Sequence, residues 1–110
     1  MGGALARRNA LEAQVLTGGD VEAGRVALSR YGCTTCHMIP GVTDARGLVG
    51  PSLAQLANRL YVAGVLPNTP DNLIRWIENP PEIDPRTAMP KLGVDETNAR
   101  NIAAYLYTLK

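Results

Sequence analysis

At 110 residues, with 11 Lys and Arg against 10 Asp and Glu, the chain has room for one compact domain and carries a formal charge of only +1. That balance excludes the strongly basic surface of a nucleic-acid binder, and no apolar run approaches the roughly 18–20 residues of a membrane span. Phe is absent and only one Trp and four Tyr occur, so a core this poor in large side chains invites completion by a bound apolar group.

Residues 1–19 read as an arm or linker. Ala4 to Leu16 is rich in helix formers but its apolar spacing is weak, and Gly18-Gly19 ends it. The first residues lack the apolar centre of a signal peptide, so the chain reads as a soluble domain, mature or cut from something larger. Its working part is residues 20–110. Asp20 is an N-cap for a helix from Val21 to Tyr31, with Gly24, Ala27, Leu28 and Tyr31 on one face. After the Cys33–His37 segment comes a glycine-punctuated loop from Pro40 to Pro51. A short helix is expected from Ser52 to Leu60, with Leu53, Leu56, Ala57 and Leu60 on one face. Thr69-Pro70 reads as N-cap then proline at the first helical position, opening a helix through Glu78 that Pro80-Pro81 cannot continue. Glu82 to Gly93 is a second loop, carrying Met89. Asp95 caps a final helix to about Leu109, striped by Ala99, Ile102, Ala103 and Leu106. No strand pattern appears. The expected fold is all-α, short helices joined by long loops that make sense if they wrap something.

Cys33-Thr34-Thr35-Cys36-His37 has the C-x-x-C-H spacing of covalent haem attachment. Each thiol adds across one haem vinyl group, two intervening residues let both sulfurs reach neighbouring pyrroles, and the next imidazole is held under the iron. A structural zinc site needs four ligands, and the chain has no other Cys or His. A thioredoxin-like pair would sit in a βαβ pattern, which is missing, and a bare disulfide leaves His37 and the long loops unexplained. One covalent haem c is therefore the expected cofactor.

His37 is the only histidine, so the sixth iron position falls to Met, Lys, Tyr, water or nothing. Met1 lies on the arm and Met38 follows His37 directly, which prevents it from reaching the opposite haem face. Met89, in Thr87-Ala88-Met89-Pro90, sits in a loop long enough to cross. Met/His is a known cytochrome pairing, and the alternative is that Met89 simply fills core. His37 and Met89 are thus the expected iron ligands.

From Asp20 onward the chain resembles the class I cytochrome c family. The match is carried by Gly24, Cys33–His37, Gly50-Pro51-Ser52-Leu53 with Arg59, Leu73 to Pro80 with Met89, and Ala104-Tyr105-Leu106. The resemblance implies a class I cytochrome c fold in which the first and last helices cross at near right angles, with Gly24 close to Tyr105. It implies that Pro51 offers its carbonyl to the His37 Nδ1–H, that Arg59 meets a haem propionate, and that Trp76 lies near the axial methionine. The alternatives are an exposed helical arginine and ordinary core packing. Val65 to Leu73 with Trp76-Ile77 further resembles the cytochrome c domain fused to subunit II of some bacterial haem–copper oxidases. There an upstream copper-binding domain of the same polypeptide takes the electron, and this chain has no spare Cys or His to bind copper itself.

Together these features imply single-electron transfer within or to a respiratory oxidase rather than catalysis, in the periplasm or on the outer face of the membrane. The alternatives are a free or anchored cytochrome c carrier serving redox protein partners, or a five-coordinate haem sensor or peroxidase. Only Lys91 and Lys110 could form a lysine ring, so steering by charge should be weak. Docking is expected through an apolar haem edge built from Met38 to Val42 and Ala88 to Lys91.

Overall fold

The three predicted caps form, and each has the same physical basis. In the computed structural model, which describes residues 3–110, the Asp20 carboxylate accepts from Ala23 N at 2.8 Å, the Thr69 hydroxyl from Asn72 N at 3.2 Å and the Asp95 carboxylate from Asn98 N at 2.8 Å. Each satisfies a backbone N–H that a helix start leaves without a partner. Glu22, Asp71 and Glu96 in the first turns add negative charge where the helix dipole favours it. The resulting helices are α2 (Val21–Arg30), α4 (Pro70–Glu78) and α6 (Glu96–Leu106). They are joined by α1 (Gly3–Thr17), the single turn α3 (Cys33–Cys36), and the short α5 (Pro80–Ile83).

The α2–α6 crossing is the centre of the molecule. Ala99 and Ala103 are fully buried on α6 beside Ile102 and Leu106, and small side chains at i, i+4 let another backbone come close. Gly24 completes the approach, because a Cβ there would overlap the carbonyl of Asn101. This contact is with Asn101 and Ile102, one turn earlier on α6 than the expected partner Tyr105. Asp20 N also donates to Asn101 Oδ1 at 2.8 Å, tying the start of α2 to the same point. Leu28, Ile39, Leu73 and Ile102 are the large side chains packed most completely, and each contributes about 1.5–3 kcal/mol by leaving water.

Residues 3–17 of the expected arm form α1, which lies against α6; Met1 and Gly2 fall outside the described residues. Ala13 and Thr17 are buried in that contact, Arg100 Nη1 donates to Thr17 O at 2.8 Å, and Lys110 pairs with Glu12 at 2.8 Å. Leu11, Val15 and Leu16 remain exposed, which is why the apolar spacing looked weak: only one narrow strip of small residues is covered.

Two expectations fail here. The Ser52–Leu60 helix is only a 3₁₀ turn over Leu56–Asn58. Gln55 adopts a left-handed backbone (φ 58°), and the carbonyls of Ser52 and Ala54 are taken by the Arg59 guanidinium instead of by helical N–H groups. Leu60, expected on the apolar face, is exposed. The fold is also not purely helical: Tyr61–Val62 (β1) and Leu66–Pro67 (β2) pair antiparallel, with Tyr61 opposite Pro67. Ala63 and Gly64, both at positive φ, make the turn. Two-residue strands are too short to show an alternating pattern. Finally, Pro80-Pro81 ends α4 as expected but also starts α5, since proline suits a first helical turn.

Candidate functional site

Tyr31 and Gly32 separate α2 from α3, and Gly32 at φ 81° lets the chain re-enter a helix after only these two residues. Within α3, Cys33 and Cys36 are three apart on a single helical turn, so their thiols project from one side. Both are half-buried free thiols, and burial pushes the Cys33 thiol above its usual pKa. His37 ends the turn in an extended conformation, which swings its ring out of the helical path. Its backbone N–H still donates to Cys33 O at 3.0 Å.

The segment 47–50 crosses back over this turn. Gly47 N donates to His37 O at 3.3 Å and Gly50 N to Cys36 O at 2.7 Å. Both positions require glycine for space: a Cβ at Gly47 would overlap the Cys36 backbone, and one at Gly50 would overlap the His37 imidazole. The ring therefore lies against the Gly50 backbone, buried, with Nδ1 2.7 Å from Pro51 O. A carbonyl can only accept, so Nδ1 carries the proton and Nε2 is the ring nitrogen left to bind a metal.

This donor set fits a covalently attached haem. It offers two free thiols on one side of a turn, one imidazole with its other nitrogen fixed by a carbonyl, and apolar side chains beside it. Leu48 and Val49, immediately before Gly50, are 92 % and 77 % exposed. Among the described residues no three His, Cys, Asp or Glu side chains gather where they could hold a metal ion.

The remaining candidates are distributed as follows. Met89 is half-buried against the hydrophobic core, its N–H donating to Thr87 Oγ1 at 3.1 Å. Trp76 is buried on α4 between Leu73 and Ile77. The Arg59 guanidinium donates through Nη2 to the carbonyls of Ser52 and Ala54. Within the expected apolar edge, Ile39 and Val42 are buried in the core while Met38 is exposed, as are Ala88, Pro90 and Lys91; Leu48 and Val49 are further exposed apolar side chains.

Two residues that sequence reasoning passed over belong to the same frame. Asn68 Nδ2 donates to the carbonyls of Leu56 and Arg59, both at 3.0 Å, and Tyr107 Oη donates to Asn68 Oδ1 at 2.7 Å. Burial pushes the Tyr107 hydroxyl up to about 12, so it stays a donor across the physiological range. No periodicity marks either residue, and an Asn in an irregular stretch before a helix reads as ordinary turn chemistry.

No protein-family model matches the chain, and no solved structure matches it. Two curated proteins do. Cytochrome c oxidase subunit 2 of Alkalihalophilus pseudofirmus is 31% identical over 88 residues, and cytochrome c oxidase subunit 2 of Bacillus subtilis is 33% identical over 93. Each alignment covers 79% of this chain but only 25% and 26% of the relative, so the chain spans about a quarter of the proteins it matches. The chain is related to cytochrome c oxidase subunit 2 over that stretch.

Proposed function

We propose that this chain is a class I cytochrome c domain that carries one haem c and passes single electrons within or to a respiratory oxidase. The observation that carries the reading is the His37 ring, backed by Gly50 and fixed through Nδ1 on Pro51 O at 2.7 Å, directly after two thiols on one helical turn. When bound, the haem supplies a one-electron iron couple. Cys33 and Cys36 would hold it covalently, and His37 Nε2 would be a ligand to its iron. Pro51 O orients the imidazole and raises its basicity. Met89 would supply a soft thioether ligand, which would favour ferrous iron and leave no open position for small ligands. Trp76, buried on α4, would form part of the wall of this pocket.

The similarity to oxidase subunit 2 supports placing the domain in the electron path of a larger complex, with a copper-binding domain or another redox protein as acceptor. No helix among the described residues is long and apolar enough to cross a membrane. Haem attachment places the domain in the periplasm or on the outer face of the cell membrane. The domain itself moves electrons and does not transform a substrate.

Intact mass after denaturation tests this directly. It should exceed the polypeptide mass by one haem, and haem that extracts into acid–ketone solvent overturns the reading. In the same preparation, Met89→Ala should lower the reduction potential and let cyanide or imidazole bind, whereas Met38→Ala should do neither.

A further inference from the structure

The bond from His37 to Pro51 is short, but the loop that presents Pro51 has little regular structure of its own. Residues 51–55 contain no helix, and Gln55 sits at a left-handed backbone angle. Backbone bonds tether the two flanks of Pro51, Gly50 N to Cys36 O at 2.7 Å and Leu53 N to Met38 O at 2.9 Å. Between Ser52 and Arg59 three side chains add to that hold. Arg59 reaches back from the far end of the 3₁₀ turn to the carbonyls of Ser52, the residue after Pro51, and Ala54. Asn68, just after the hairpin, holds the carbonyls of Leu56 and of Arg59 itself. Tyr107, buried where α6 ends, fixes the Asn68 amide by accepting none of its protons and donating its own to Oδ1. Ala57 N adds a backbone bond to Leu109 O at 3.0 Å. A path of hydrogen bonds, joined through the Arg59 side chain, therefore runs from the end of α6 to the peptide unit beside Pro51.

We infer that Arg59, Asn68 and Tyr107 are positioning residues for His37: they hold the Pro51 carbonyl on the imidazole Nδ1–H and so set how strongly the ring donates to whatever Nε2 binds. This rests on the haem reading above and adds to it side chains that act on His37 through the 51–59 backbone. The sign follows from the bond. A firm Nδ1–H···O bond makes the imidazole a stronger donor and favours ferric iron, so loosening it should raise the reduction potential. Arg59 acts with two carbonyls through a planar guanidinium, which a lysine ammonium reproduces only in part.

The experiment compares purified holoprotein of wild type, Tyr107→Phe, Arg59→Leu and Arg59→Lys. Reduction potential and solvent exchange of the His37 Nδ1–H by NMR are read together with the unfolding midpoint. Tyr107→Phe and Arg59→Leu should raise the potential and speed Nδ1–H exchange about tenfold, the factor expected when a net hydrogen-bond contribution is lost. Arg59→Lys should fall between these and wild type. A lowered midpoint with unchanged potential and exchange means the three residues serve stability alone, and overturns the inference while leaving the haem reading intact. Wild-type protein with no covalent haem overturns both.

Discussion

The two sides of this molecule are built to different standards. At the α2–α6 crossing every inward position is filled by this chain's own atoms: Ala99 and Ala103 have no exposed surface, and Gly24 admits the Asn101 carbonyl where any side chain would collide. On the side that carries segments 47–50 and 60–65, apolar groups face outward instead. Leu48, Val49, Leu60 and Tyr61 are all more than half exposed, and beyond the two-residue β1–β2 pairing the backbone is held by isolated hydrogen bonds. The first region is complete as a protein core. The second leaves apolar side chains uncovered, two of them in the segment that backs the His37 imidazole. The polar path through Tyr107, Asn68 and Arg59 joins the end of α6 to the loop beside His37.

The sharpest way to break that comparison is at the crossing. Gly24→Val forces a branched side chain into the Asn101 backbone, which cannot yield without parting the helices, and should cost about 3 kcal/mol or more in urea unfolding. A loss below about 1 kcal/mol would show that the crossing is looser than described. A paired substitution reads the contrast itself. Ile102→Ala should cost about 2–5 kcal/mol by opening a cavity, whereas Leu48→Ala on the other side should stay within about 0.5 kcal/mol in protein without haem. Equal losses at the two positions would remove the distinction between the regions. The smallest effect concerns the joint between them. Burial raises the folded-state pKa of Tyr107 from 10.0 to about 12, so the neutral hydroxyl is the form that folding favours. Its contribution is whole below pH 10 and declines as pH rises from there to about 12. Tyr107→Phe should flatten this alkaline decline in the unfolding midpoint, measured against wild type over the same range.

How much of this was legible in the chain depended on how local the cause was. The caps at Asp20, Thr69 and Asp95, the stripe of Ala99, Ile102, Ala103 and Leu106, and the attachment motif are written in neighbouring residues, and the structure has each of these caps and the stripe in its place. The 52–60 segment was misread because its spacing of Leu53, Leu56, Ala57 and Leu60 is helical. What breaks the helix is a guanidinium returning from Arg59 to the carbonyls of Ser52 and Ala54, which no periodicity records. The hairpin was missed because two residues per strand leave nothing to alternate. At the site, the motif pointed to His37, and the resemblance pointed to Pro51. Asn68 and Tyr107 were invisible for a different reason: they act on the site through one another across 39 positions, a distance at which sequence carries no trace of contact.

The pairing of α2 with α6 also bears on how the chain comes into being. A ribosome releases the polypeptide in order, at about 5–20 residues per second, so residues 21–30 are made seconds before residues 96–106. Until the later segment emerges, Gly24 and Leu28 have no surface to close against, and an isolated helix as short as α2 is marginal in water. The nascent chain must therefore pass through a period in which the thiols and imidazole of 33–37 are reachable from outside, unshielded by the completed fold. On the haem reading proposed above, late closure would leave those thiols open to attachment before the last helix packs.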